Sequence, residues 1–285
     1  PELSVLIAVV KADLKESLAA GSVPDDPGIR DVIHDAFPPL IAERFGQELE
    51  KHQLRRELIA THVANDLVNR MGMTFVERLQ QSTGAPLATI TRGYMIAKSI
   101  FRLDYWWRRI EALDHSIDSE LQIRLFSELM RIVRRATRWL LRNRRGEMDV
   151  NPHVEQFRSC LDAILSDLAV YLGGRSEEQW HMACEKLCGD GVPNEIASVV
   201  GGAPYLVSAL GIIEASEETG APLKEVSNLY FAIGDVLDLD WFAAAVNALR
   251  TRSHWEALAR ESFREDLNWQ QRALTTGILK VRSPS

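Results

Sequence analysis

HQLRRELIATHVANDLVNRMGMTFVERL, residues 52–79, carries the clearest helical period in the chain. Leu54, Leu58, Thr61, Asn65, Val68 and Gly72 recur at alternating steps of four and three, which puts them on one face of an α-helix. Such a face is expected to be buried, yet half of it is not apolar. Thr61, Asn65 and Asn69 follow one another at steps of four on or beside it, so the pattern predicts a buried polar network bonded to a neighbouring helix, or else a polar cavity. His52, Arg55, Arg56 and Glu57 just before them are expected to form a local, mostly solvent-facing charge cluster. Gly72 divides this helix from a shorter one through Phe75, Val76 and Leu79.

Upstream, Leu3, Leu6, Ile7, Val10, Leu14 and Leu18 predict an amphipathic helix that Gly21 closes, followed by the turn residues Ser22, Pro24, Asp25, Asp26 and Pro27. A further helix opens at Pro38 or Pro39 and is expected to carry Leu40, Ile41, Phe45 and Leu49 inward. Downstream, TGAPLATITRGYMIAKSIFRLDYWWRRIEAL from Thr83 aligns without a gap on TGAPLKEVSNLYFAIGDVLDLDWFAAAVNAL from Thr219, at a constant offset of 136 with ten of 31 positions identical. A helical unit used twice explains this match. Within each copy, glycine stops one helix, proline starts the next, and a Leu-Asp pair marks the start of a shorter third. A long helix follows each copy. The first buries Leu121, Leu125, Leu129, Ile132, Ala136 and Trp139, and its counterpart from about Ser253 is expected to bury Trp255, Leu258, Phe263, Leu267, Ala273 and Leu274. No segment alternates polar and apolar residues between turn signals, so the expected fold is all-α, a helical array of two related multi-helix units over residues 1–150 and 151–285.

With 285 residues and 46% hydrophobic content, the chain is long enough for one large or two ordinary cores. The net charge of −7 is unevenly spread: residues 1–150 hold 22 Lys and Arg against 21 Asp and Glu, so the acidic excess lies in the second half. Such a balance argues against nucleic acid or an anionic membrane as partner. The apolar runs are broken by charge before they reach a membrane span, and Lys11 and Asp13 interrupt the first helix as a signal sequence, so a cytoplasmic location is expected. Three cysteines make no disulfide framework.

Arg131, Arg134, Arg135, Arg138, Arg142 and Arg145 form an arginine stripe along the first long helix. It is either a contact with an acidic protein surface or phosphates, or a solvated helix face. His181, Cys184 and Cys188 share a helical face and suggest metal ligands, but they interleave with Trp180, Ala183 and Leu187, which makes them a core stripe. Gly189, Gly191, Gly201 and Gly202 lack the preceding strand and the lysine of a phosphate loop, leaving loop and cap roles. Spacing assembles no Ser/His/Asp or Cys/His set. No catalytic, cofactor-binding or metal-binding residue is therefore assigned.

PELSVLIAVVKADLKESL (1–18), HQLRRELIATHVANDLVNRMGMTFVERLQQSTGA (52–85), WWRRIEALD (106–114) and RATRWLLRNRR (135–145) resemble the C-terminal region of the large class of bacterial NAD-specific glutamate dehydrogenases. The resemblance runs from Pro1 to about Leu274 and is looser after Ser176. It implies a piece of a longer, homo-oligomeric enzyme that oxidises L-glutamate to 2-oxoglutarate and ammonia with NAD. The family's catalytic lysine and aspartate and its nucleotide-binding glycines would then lie upstream, and no position here matches them. On this basis the chain is expected to be a non-catalytic assembly or regulatory region that packs on the upstream catalytic domain and holds no cofactor of its own. A stand-alone helical scaffold that binds partners between its repeated units is the alternative.

Overall fold

A computed structural model describes residues 2–144, 146 and 148–282, except for the side chains of Asn247, His254, Glu261 and Arg264. Among these residues there is no strand, and 82% of the chain is helical. The principal helices are α1 (Glu2–Ala20), α2 (Pro39–Glu50), α3 (Arg55–Met71), α4 (Phe75–Thr83), α5 (Leu87–Ile100), α6 (Leu103–Glu111), α7 (Ser119–Asn143), α8 (Val150–Ser166), α9 (Gly174–Gly189), α10 (Asn194–Gly201), α11 (Ser208–Thr219), α12 (Leu223–Val236), α13 (Leu239–Ala248) and α14 (His254–Arg282), joined by shorter helical turns.

The chain divides into two compact units, but not at a single cut. Residues 1–100 and 133–156 make the first, and 101–132 and 157–285 the second, so the boundary runs through α7 and α8 instead of falling between residues 150 and 151. A long helix can serve two cores in succession, because each turn presents a new set of side chains. That is a property no periodicity reading exposes.

In the first unit α1 packs along α3, whose Ile59, Ala60, Val63, Ala64 and Leu67 are at most 1% exposed. The buried face of α3 is thus rotated from the predicted one. Leu54 is 55% exposed, Thr61 and Asn69 are exposed and Asn65 is half-buried, so these three side chains do not form the buried network expected of them. The correction has a simple cause. Ile59, Val63 and Leu67, with Ala60, Ala64 and Val68 beside them, give a wider apolar stripe than the one read from Leu54 and Leu58, and the wider stripe wins the core. Gly93 of α5 faces Thr137 of α7, where a Cβ would stand 3.4 Å from the threonine methyl, so glycine permits a close helix crossing.

In the second unit α11, α12 and α14 pack on one another, and α9 packs on α10, around Leu210, Ile212, Ile213, Val226 and Tyr230. The two aligned segments share some local geometry. Gly84 (φ 71°) and Gly220 (φ 68°) end α4 and α11 in the left-handed region, and each is preceded by a threonine whose hydroxyl donates to the carbonyl four residues back and accepts from the amide two residues on. Arg102 (φ 52°) and Asp238 (φ 50°), 136 residues apart, both adopt the left-handed conformation just before α6 and α13. Two dissimilar side chains holding the same strained backbone indicate that the turn geometry, not the residue, is what the repeat preserves.

Candidate functional site

Several polar side chains among the described residues serve the chain's own architecture. Arg55 and Arg56, expected to face solvent, instead reach back to the loop between residues 19 and 26. Arg56 donates to the carbonyls of Gly21 (2.6 Å) and Ala19 (3.0 Å), and so satisfies the C-terminus of α1. Its other nitrogen pairs with Asp25, and that bond, ahead of the charges of Arg56 and Arg55, holds the Asp25 carboxyl below its ordinary range. Arg92 of α5 meets the buried Asp26 carboxylate at 2.8 Å, while the other oxygen of Asp26 caps the next helical turn through the Gly28 amide.

Sequence reasoning also missed Asp66. One oxygen of this carboxylate accepts from the Tyr94 hydroxyl at 2.7 Å and the Lys98 ammonium at 2.8 Å, tying α3 to α5. The available signal was the i, i+4 pair of Tyr94 and Lys98, whose shared partner lies 28 positions upstream.

The arginine stripe divides by position along α7. Arg131 is exposed and paired with Glu128 one turn away, and Arg142 is exposed. Arg134, Arg135 and Arg138 are half-buried, with Arg138 reaching the Ser82 hydroxyl at 3.4 Å; Arg145 lies outside the described residues. The middle of the stripe is therefore partly engaged inside the chain, at Ser82 and not with an acidic surface.

His181, Cys184 and Cys188 do not converge. His181 and Cys188 are exposed, whereas Cys184 is buried with its thiol toward the Ala197 carbonyl, and burial, ahead of the nearby Cys188, pushes its pKa up to about 11. Burial among Ala197 and its neighbours makes Cys184 a packing group in this fold. Gly202 is required for packing too, since a Cβ there would stand 2.3 Å from a methyl of Leu168. Asp31, His34 and Glu50 bring three donor atoms within 4.8 Å of one another, with His34 lying 3.8 Å from Glu50 and over Gly46. No single described helix is long and apolar enough to cross a membrane.

Among the described residues that the chain leaves open are many large apolar ones. On α1, Leu3 (61%), Val5 (63%), Leu6 (49%) and Val9 (49%) are exposed, on α2 Leu40 is 79% exposed, and on α14 Trp255 and Trp269 are 77% and 62% exposed. Leu3, Leu6, Leu40, Ile41, Phe45, Trp255, Phe263, Ala273 and Leu274 were expected to point inward, and the structure corrects each of these expectations. Their helical period is real, but among the described residues these side chains stay largely exposed, with Phe263 meeting only the edge of Phe242 and Phe45 lying under Arg44. A fully exposed large side chain of this kind forgoes roughly 1.5–3 kcal/mol that burial would supply, and the half-exposed ones about half of that.

The family model described as "Glutamate dehydrogenase, C-terminal" matches residues 1–285. Among curated proteins, the chain is 45% identical over 281 residues to the NAD-specific glutamate dehydrogenase of Pseudomonas aeruginosa and 42% identical over 279 residues to that of Halomonas elongata. It is 32% identical over 284 residues to the NAD-specific glutamate dehydrogenase of Mycobacterium tuberculosis. These alignments cover 98–100% of this chain but only 17% of each relative, so the chain spans about a sixth of the length of the relatives it matches. A helical chain that ties its polar groups inward, leaves apolar faces open and matches this model from end to end belongs to the glutamate dehydrogenase C-terminal family.

Proposed function

We propose that this chain is the non-catalytic helical C-terminal region of an NAD-specific glutamate dehydrogenase, holding the catalytic part of the same polypeptide and its neighbouring subunits in place. The parent reaction would be oxidative deamination of L-glutamate to 2-oxoglutarate and ammonia, with NAD taking the hydride. The observation that carries this reading is the first half of α1, where Leu3, Val5, Leu6 and Val9 point in several directions and stay exposed. A helix apolar on all sides belongs inside a larger body. The relatives' polypeptides, about six times longer than this chain, supply such a body.

The decisive assay is glutamate-dependent NAD reduction by residues 1–285 alone, where turnover would overturn the non-catalytic assignment. In the full-length protein, replacing Arg134, Arg135 and Arg138 together by Glu is expected to lower oligomer mass or activity. If both stay unchanged, the arginine stripe plays no part in assembly.

A further inference from the structure

Helix α14 is inside out for a solvated helix. Among its described residues, those it buries fully are mostly polar: Gln271, Thr275 and Thr276, with Gln271 donating to the Tyr230 carbonyl at 2.8 Å, beside the apolar Leu279 and the half-buried Leu267 and Ile278. The face it turns away is apolar. Trp269, Ala273, Gly277 and Val281 succeed one another at steps of four, with Leu274 beside them, and Trp269, Leu274 and Val281 are 62%, 47% and 80% exposed. Ala273 and Gly277 leave a shallow groove of about 710 Å³ between the larger side chains, and a Cβ added at Gly277 meets nothing within 4 Å. Small residues in the middle of an apolar helix face, with bulk at either end, let a second helix approach closely.

We propose that this groove seats an amphipathic helix supplied by the rest of the same polypeptide. The size of the groove selects the occupant. Its described lining is a few turns of one helix, whereas stable association of separate molecules needs roughly 20–30 residues a side. A segment tethered to the same chain docks at an effective concentration near the millimolar range, so a small apolar seat is enough. The relatives carry five-sixths of their length outside the matched region, which is ample chain to provide that helix. The incoming face should be large and aliphatic, to fill the space over Ala273 and Gly277, with an acidic residue toward Arg282 at the groove's edge. This inference rests on the chain being one region of a longer enzyme.

The test uses the full-length protein with a photo-crosslinking residue at Val281, a position whose exposure means the substitution disturbs nothing inside the chain. Oligomers are assembled from mixed isotopically light and heavy polypeptides, and the crosslinked peptides are identified by mass spectrometry. Crosslinks from position 281 to sequence outside residues 1–285, pairing light with light and heavy with heavy, are the expected result. Mixed-isotope pairs would place a neighbouring polypeptide in the groove, and crosslinks into residues 1–285 of another copy would make it a dimer contact; either overturns the proposal. So would a complete lack of crosslinks.

Gly277→Leu supplies an independent reading with opposite signs. If the groove is open, leucine improves the helix and raises Tm; if it is occupied, leucine obstructs the incoming helix, and Tm falls. A groove found open would leave the non-catalytic assignment untouched, because that assignment fails only if residues 1–285 turn over glutamate.

Discussion

At the scale of the residue, the repeat makes a quantitative demand. Gly84 and Gly220 share a left-handed conformation, and a Cβ at either meets nothing within 4 Å, so alanine there is opposed by backbone strain alone. Gly84→Ala and Gly220→Ala should each cost about 1–2 kcal/mol, and the asparagine variants less, in urea unfolding. Unequal alanine costs would mean that the two caps are not equivalent. Arg92 makes a different demand, because the Asp26 side chain it pairs with is only 1% exposed. Arg92→Ala leaves a buried carboxylate with an amide partner but no countercharge, and should destabilise the first unit by about 3 kcal/mol. Combining it with Asp26→Ala should cost less than the two single changes added together.

At the scale of the element, helices are joined by charge where their apolar faces do not meet. Arg272 of α14 reaches Glu214 (2.5 Å) and Glu218 (3.7 Å) on α11, and Lys280 reaches Glu218 at 2.7 Å. The Lys280 hydrogen bond, with the charges of Lys280 and Arg272 behind it, lowers the Glu218 pKa in the folded state. A depressed carboxylate pKa contributes stability above its unfolded value near 4.5, and that contribution is lost as pH falls through the lower folded value. Glu218→Gln should therefore destabilise the protein at pH 7 by less than about 1 kcal/mol, since the pair is half-exposed. The difference from the parent should disappear toward pH 3, and one that persisted there would show that the contact is not ionic.

At the scale of the molecule, the exposed apolar faces on α1, α2 and α14 are where the proposed assembly role can be tested. Leu3→Glu with Leu6→Glu changes side chains that are 61% and 49% exposed, so the chain itself has little to lose. In the full-length protein the double variant should still fold but show lower oligomer mass or a lower Tm by several degrees. A variant indistinguishable from the parent by light scattering and calorimetry would mean that this half of α1 faces solvent in the full-length protein as well.

Helix content, the positions of the Gly84 and Gly220 stops and the family were all legible in the amino-acid sequence, because each rests on local backbone preference or on matched residues close along the chain. Which face of α3 is buried was not legible: Thr61 and Asn69 lie outside and Ile59, Val63 and Leu67 inside, because two stripes on one helix compete and only the packing of α1 against it chooses between them. Nor was the Asp66–Tyr94–Lys98 cluster, whose members come from different helices. Periodicity records that a face is made to be covered, since the apolar effect is non-directional and names no partner. Only the tertiary structure decides which of those faces this chain covers for itself and which it leaves for another body.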